Sequence, residues 1–264
     1  MQYVLVTGAY GGMGKATVQA LKNKGYFVFA IDKTVGEAEE NVLPIQADLT
    51  DENSVQNAFH LVHGITQELF AIVHFAGIYT LDSLVEISKS AFTRAFEINV
   101  YGAFQVNKIF LPLLTKGSKI IITTSELAPL DPLPFTGLYA VTKSALDKYA
   151  FSLRMELQLL DISVSVLRPG AVDTGMLGVS TTALDNFCQN TQLYSCNAKR
   201  FKNIVEKVEA RKIPPEKIAA LALKILQAKK PNPVYQINRN PLLILLNILP
   251  LKLQNFIIKQ ILKS

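Results

Sequence analysis

Seven short runs, at about 2–7, 26–31, 42–47, 69–75, 118–124, 162–168 and 233–237, are mostly apolar from end to end and do not alternate with polar residues. A strand that buries one face alternates; a strand that is apolar throughout needs cover on both. Helical patterns occupy every gap between these runs but the last, so each strand can be followed by a helix that crosses back over the sheet. The expected class is therefore α/β, a doubly wound seven-stranded parallel sheet with helices on both faces. With 264 residues, 49% of them hydrophobic, the chain has material for one sizeable core. No Gly/Ser-rich linker or internal repeat divides it, and a single domain over residues 1–237 followed by a tail over 238–264 is expected.

Composition excludes several classes. Cys188 and Cys196 are too few and wrongly spaced for a zinc site or a disulfide framework. His60 and His63 lie three apart on a predicted surface helix with no third ligand in view, so no metal is expected there. The net charge of +6 comes from lysines scattered along the chain without interleaved aromatics, which argues against nucleic acid. No basic, apolar and small-residue leader pattern opens the sequence, and a cytoplasmic protein is expected. Helical patterns at 88–115 and 137–160 carry apolar positions on more than one face; the second includes Leu146, Tyr149, Phe151 and Leu157. One face covers the sheet, and the other either meets a partner subunit in a homodimer or homotetramer or is buried within the monomer.

Residues 7–14, TGAYGGMG, stand between the first strand and the first helix. Glycine allows positive φ and close backbone approach, and a helix starting there presents unpaired N–H groups and its positive dipole end. A pyrophosphate matches both features, with Gly8, Gly12 and Gly14 forming the turn, admitting the phosphate and packing the helix on the strand. Asp32 ends the second strand 18 residues after Gly14, where a carboxylate accepts hydrogen bonds from adenosine ribose hydroxyls and repels a 2′-phosphate. NAD is therefore expected over NADP, although Lys15 and Lys33 are close in sequence. In YAVTK, residues 139–143, Tyr139 and Lys143 are four apart and share a helix face. A free phenol titrates near 10, and a neighbouring ammonium together with a positive nicotinamide ring favours the phenolate.

Thr7 to Gly14 fits the T-G-x-x-x-G-x-G pattern, and together with YAVTK and the order of the strands the chain to about residue 237 resembles the short-chain dehydrogenase/reductase family. The resemblance implies a single Rossmann domain, a nicotinamide cofactor and an alcohol or carbonyl substrate. It implies that Tyr139 is the general acid/base, that Lys143 binds the nicotinamide ribose, and that Ser125 in KIIITTSELA hydrogen-bonds the substrate oxygen. Asn99 in FEINVYGAF matches the family asparagine that bends the long helix and holds a relay water. For the cofactor it adds Thr7 and Met13 in the turn, Asp48 and Leu49 at the adenine, Ala76 and Gly77 on the adenosine side, and Pro169, Gly170, Val172 and Thr174 facing the nicotinamide. Two departures stand out. The Ser125–Tyr139 separation is one residue longer than the family pattern implies. HFAG at 74–77 replaces the usual N-N-A-G, leaving His74 to supply a structural hydrogen bond at a strand end.

Residues 175–212 are expected to form a lid, with Met176, Leu177, Leu184, Phe187, Leu193 and Tyr194 either facing a hydrophobic substrate or packing the lid itself. The tail, NPLLILLNILPLKLQNFIIKQILKS from Asn240, is apolar with Lys252, Lys259 and Lys263 on a polar stripe; Asn247 and Pro250 interrupt it, and because it holds no stretch of 18 apolar residues a transmembrane helix is not expected. It reads either as an interfacial amphipathic helix with peripheral membrane contact or as a segment packed over the cleft or a subunit interface. Its pattern resembles the branch containing retinol and 17β-hydroxysteroid dehydrogenases, which implies a lipophilic secondary alcohol or ketone. A non-catalytic NAD-binding scaffold, a lipid-surface protein and a nucleotide-sugar epimerase are the competing classes. The last usually needs more than the roughly 90 residues that follow Gly170.

Overall fold

The computed structural model describes residues 1–209 and 211–263, with the side chains of 176–181, 208 and 209 outside that description. Strands β1 (Tyr3–Thr7), β2 (Phe27–Asp32), β3 (Val42–Gln46), β4 (Leu69–His74), β5 (Leu114–Thr123), β6 (Ser163–Pro169) and β7 (Val234–Ile237) form one sheet. Its order is β3-β2-β1-β4-β5-β6-β7, and all neighbours pair in parallel. The helices are α1 (Gly12–Asn23), α2 (Glu52–His63), α3 (Lys89–Phe96), α4 (Gly102–Phe110), α5 (Gly137–Leu157), α6 (Gly175–Asn190), α7 (Ser195–Glu209), α8 (Pro215–Gln227), α9 (Pro241–Ile248) and α10 (Leu251–Leu262).

The unbroken apolar strands do bury both faces. Leu5, Phe29, Ile72, Ile120 and Val164 point into one core with Val55 and Val62 of α2, Val106 and Phe110 of α4, and Leu146 and Ala150 of α5. Their neighbours Val4, Val28, Ala71 and Ile121 face the opposite core, which Leu21 of α1 and Ile218, Ala222 and Ile225 of α8 close. Strand order reverses between β1 and β4, and a crevice opens there beyond the strand ends, the place where open α/β sheets take ligands.

Two expectations about the connections are corrected. The last gap, expected to lack helices, contains α6, α7 and α8. Pro214 and Pro215 look like breakers, but proline at the first helical position starts a helix because its missing N–H had no partner to lose. The gap between β2 and β3 holds no helix: residues 33–41 are too few to leave the sheet, turn and return. The expected helix over 88–115 is also broken, by a π turn at Glu97–Tyr101, and ends early because β5 begins at Leu114. Tyr101, Phe104, Phe151 and Met155, on the stretches expected to meet a second subunit, are exposed.

His74 ends β4 in the core, its Nδ1 3.4 Å from the Thr7 hydroxyl and its Nε2 2.9 Å from Asn107 Oδ1. Asn107 in turn donates to the Tyr149 hydroxyl at 3.1 Å, so one imidazole links β1, β4, α4 and α5. Burial drives its pKa down to about 4, against which the Asn107 contact works weakly. A histidine buried neutral stabilises the fold fully above its unfolded pKa of about 6.5, and that contribution is lost as pH falls towards 4. We expect about 2 kcal/mol of stability to disappear between pH 7.5 and pH 5 on this account. Urea unfolding at the two pH values, compared with His74→Asn, checks it: the variant should lose distinctly less, and equal losses would remove His74 as the cause.

Candidate active site

The turn after β1 is shaped by contacts that leave no room for side chains. Gly8 has φ +64°, and a Cβ there would come within 2.5 Å of the Ala76 backbone nitrogen. A Cβ on Gly14 would meet the Gly8 carbonyl oxygen at 2.0 Å. Helix α1 then begins at Gly12 with no side-chain cap, leaving its first N–H groups for an anion. In front lies a cleft of about 670 Å³. Gly8, Gly12, Met13 and Gly14 line it from the turn, Asp32, Asp48 and Leu49 from beyond β2 and β3, and Ala76, Gly77 and Thr174 from the opposite wall. Thr7 is not on that surface; it is fully buried behind the turn, beside His74.

Asp32 braces the turn it faces. One carboxylate oxygen accepts the Tyr10 N–H at 3.0 Å and the other accepts the Lys33 N–H at 2.7 Å. Asp48 accepts from the Thr50 N–H and hydroxyl and pairs with Lys33 Nζ at 2.7 Å. Burial works against its charge, but Lys33 and the Thr50 donors prevail and hold its pKa below the ordinary aspartate value. Sequence reading noted Lys33 only as a neighbour of Asp32 in the chain and found neither this pair nor Arg94, which α3 brings to the cleft wall.

A second cavity, about 190 Å³, continues from the first through Met13, Phe75, Gly77, Tyr79 and Thr174, which line both. Ser125, Tyr139 and Lys143 open into it, as do Pro169, Gly170 and Val172. Tyr139 and Lys143 sit one turn apart on α5, with Lys143 Nζ 5.8 Å from the centre of the Tyr139 ring and donating to the Thr123 carbonyl at 3.3 Å. The α5 helix is held in place by Asp147, which receives Arg168 of β6 through both carboxylate oxygens, at 2.9 and 2.7 Å.

Burial raises the Tyr139 pKa to about 12; a hydrogen bond with Ser125 opposes this, and the nearby Glu126 charge adds to it. Lys143 is pushed down to about 8, also by burial. The expectation that the neighbouring ammonium draws the phenol down is thus not met by the protein's own groups, because both side chains are almost fully desolvated. Glu126, next to Ser125, and Tyr79, whose ring centre is 4.5 Å from that of Tyr139, are wall residues that sequence reading missed. The only sequence signal for Glu126 was an acid directly after the serine in TTSEL.

Asn99 is 1% exposed and does not line either cavity. It lies in the π turn, accepts the Ile78 N–H at 2.7 Å, and donates to the Ile78 carbonyl and the Thr142 hydroxyl, each at 3.0 Å. A π turn adds a residue to the helix and re-aims the side chains on either side of it, which gives Asn99 its reach across to α5.

The expected lid is a helical pair, α6 and α7, with its own small core of Leu184, Phe187 and Phe201 against Leu81, Phe135 and Tyr194. Leu193 is exposed, and the side chains of Met176 and Leu177 lie outside the described residues. The tail joins that core through Ile258 and Leu262, with Asn197 donating to the Leu262 carbonyl at 2.5 Å. Leu243 of α9 lines the second cavity, and Asn247 accepts the Asp131 N–H at 2.7 Å. The inner face of the tail therefore packs against the lid core and the inner cavity, while Leu242, Leu245, Ile248, Leu251 and Phe256 remain exposed.

The family model for short chain dehydrogenases matches residues 2–185. Mouse estradiol 17-beta-dehydrogenase 2 is 31% identical over 208 residues, which are 72% of this chain and only 55% of the mouse protein. The 3-ketodihydrosphingosine reductase of Bacteroides thetaiotaomicron is 26% identical over 231 residues, 87% of this chain and 85% of that one. Among solved structures, a short chain dehydrogenase family protein from Francisella tularensis superposes with a TM-score of 0.75 at 25% identity, covering 90% of this chain and 97% of its own. The chain belongs to the short-chain dehydrogenase family.

Proposed function

We propose that this chain is an NAD(H)-dependent oxidoreductase that interconverts a secondary alcohol and a carbonyl on a lipophilic substrate. The observation that carries the reading is the meeting of Ser125, Tyr139 and Lys143 in one cavity that continues into the cleft behind the glycine turn. Leu127, Leu133, Phe201 and Leu243 give that cavity apolar walls. An estradiol dehydrogenase and a 3-ketodihydrosphingosine reductase among the relatives support a lipophilic substrate.

The uncapped start of α1 and the glycines of the turn fit a dinucleotide pyrophosphate, and Asp32 fits a ribose diol. When bound, such a cofactor supplies the hydride donor or acceptor. Ser125 hydrogen-bonds the substrate oxygen, and Tyr139 moves the proton, giving it to a carbonyl oxygen in reduction and taking it from a hydroxyl in oxidation. With its pKa raised to about 12 by the protein's own groups, Tyr139 is a neutral phenol near pH 7, the form that gives its proton to a carbonyl oxygen in reduction. Lys143, charged below about pH 8, holds the nicotinamide ribose and stabilises the phenolate that forms. Asn99 acts by positioning the Ile78 backbone and α5.

The outer face of the tail favours a second element of the reading, peripheral contact with an anionic bilayer. Among the described residues no helix is long and apolar enough to cross a membrane. Yet α9 and α10 expose a row of leucine, isoleucine and phenylalanine beside Lys252 and Lys259, and no acidic residue follows Glu216.

Three outcomes are expected. Tyr139→Phe should lower turnover of a steroid or long-chain ketone, followed by absorbance of the reduced nicotinamide, by about 10³-fold while cofactor binding persists; undiminished turnover would sink the assignment. Asp32→Asn, which keeps an acceptor for the Tyr10 N–H, should narrow the NAD over NADP preference in kcat/KM by about tenfold or more, since it removes the charge that repels a 2′-phosphate; an unchanged ratio would dismiss Asp32 as the discriminator. The full chain should float with phosphatidylserine-containing vesicles, and Ile248→Asp with Leu251→Asp should abolish this. These positions are exposed, so the fold should tolerate the change, whereas deleting the tail would uncover the lid core; flotation retained by the double variant would exclude this face.

A further inference from the structure

Among the described residues, the wall of the substrate cavity carries one acid, Glu126, that the reaction above does not use. It is 8% exposed, which is unusual for a glutamate without a paired cation. Its backbone N–H donates to the Pro169 carbonyl at 2.8 Å, fixing it directly beside Ser125 and under the Pro169–Gly170 turn. One carboxylate oxygen, Oε2, accepts the Asn240 N–H at 2.6 Å, which ties the cavity to the start of the tail. The other, Oε1, lies so close to Gly170 that a Cβ there would approach it to 2.9 Å, and among the described residues no donor reaches it. No ion pair within 4.0 Å neutralises the group among those residues either; exposed Arg239 acts on it only at a distance.

A carboxylate in these surroundings has given up most of its hydration for a single backbone hydrogen bond, and burial accordingly raises its pKa. A neutral hydroxyl on a ligand would fill the free oxygen's valence but leave the charge uncompensated. An ammonium group would supply donors and neutralise the charge in the same step, in a cavity whose remaining walls are largely apolar. We propose that Glu126 is a specificity-determining residue that receives an ammonium group near the reacting carbon, so that the preferred substrates are apolar-chain amino ketones or amino alcohols.

This proposal rests on the reading of the cavity as the substrate site. A merely structural Glu126, present to hold Asn240, would affect all ligands alike, so the informative quantity is a ratio. Binding of a long-chain α-amino ketone and of the same ketone without the amino group is measured by calorimetry on the full chain in NAD⁺, which cannot reduce either one. The wild type should prefer the amino ketone by about tenfold to a hundredfold, the range of a hydrogen bond to a charged group. Glu126→Gln keeps an acceptor for the Asn240 N–H and should collapse that preference. Equal affinities in the wild type, a preference that survives in Glu126→Gln, or no binding of either ketone would each overturn the proposal. Turnover of the two ketones with NADH is read separately. Discrimination without turnover would leave Glu126 standing and remove the oxidoreductase reading, and turnover without discrimination would do the reverse.

Discussion

The geometry of the site depends on one buried amide. Asn99 satisfies both backbone groups of Ile78 and gives its remaining proton to Thr142, whose hydroxyl donates to the Tyr139 carbonyl at 2.8 Å. The loop after β4, the π turn of the long helix and the first turns of α5 are thereby joined at a point removed from solvent. A buried amide with these partners has little freedom, because losing any of them would leave a polar group unpaired in the core. Gly77 passes this knot with no side chain, and a Cβ there would sit 3.1 Å from Asn99 Oδ1 and 3.2 Å from Lys143 Nζ. The close approach lets the cleft and the inner cavity run together at that residue.

What was legible in the sequence follows from how local each signal is. An apolar run reports its own burial, so the seven strands and their parallel arrangement could be read directly, with boundaries within a residue or two except at β5. Its early start at Leu114 is set by pairing with Leu69 across a register shift, and Gly117 turns through φ +90° within it. Helix α8 was hidden because a proline pair reads as an interruption unless the apolar spacing after it, Ile218, Ala222 and Ile225, is given priority.

The site divides in the same way. Glycines and the Tyr-x-x-x-Lys spacing carry their geometry in the chain, and the structure brings those residues to one connected space. Thr7 opens the glycine motif and Asn99 sits in FEINVYGAF, yet both support the walls from behind, a distinction of depth that spacing along the chain does not encode. The Lys33–Asp48 pair joins residues 15 apart in sequence, and the Glu126–Asn240 contact joins residues 114 apart. Such pairs depend on where a strand end and a tail happen to meet. The tail itself left two readings open from sequence because its apolar residues divide between two faces: the inner ones complete the lid core, and the outer ones remain exposed.

The titratable groups in the inner cavity show why a folded scaffold leaves part of its electrostatics to whatever binds. Burial pushes Tyr139 and Glu126 towards their neutral forms and Lys143 towards its own, so all three shifts have one cause and reinforce a cavity of low charge. A site poised this way resists ionisation until a partner charge arrives, and then each group responds strongly, since the dielectric that penalised its charge also amplifies its attraction. On the proposed function, the same apolar walls that would hold a lipophilic chain would also tune the proton chemistry at the end of it. On the same reading, substrate preference and proton transfer would be two consequences of one largely apolar cavity, bordered by the Pro169–Gly170 turn and by Leu243 of the tail, whose start at Asn240 is bound by Glu126.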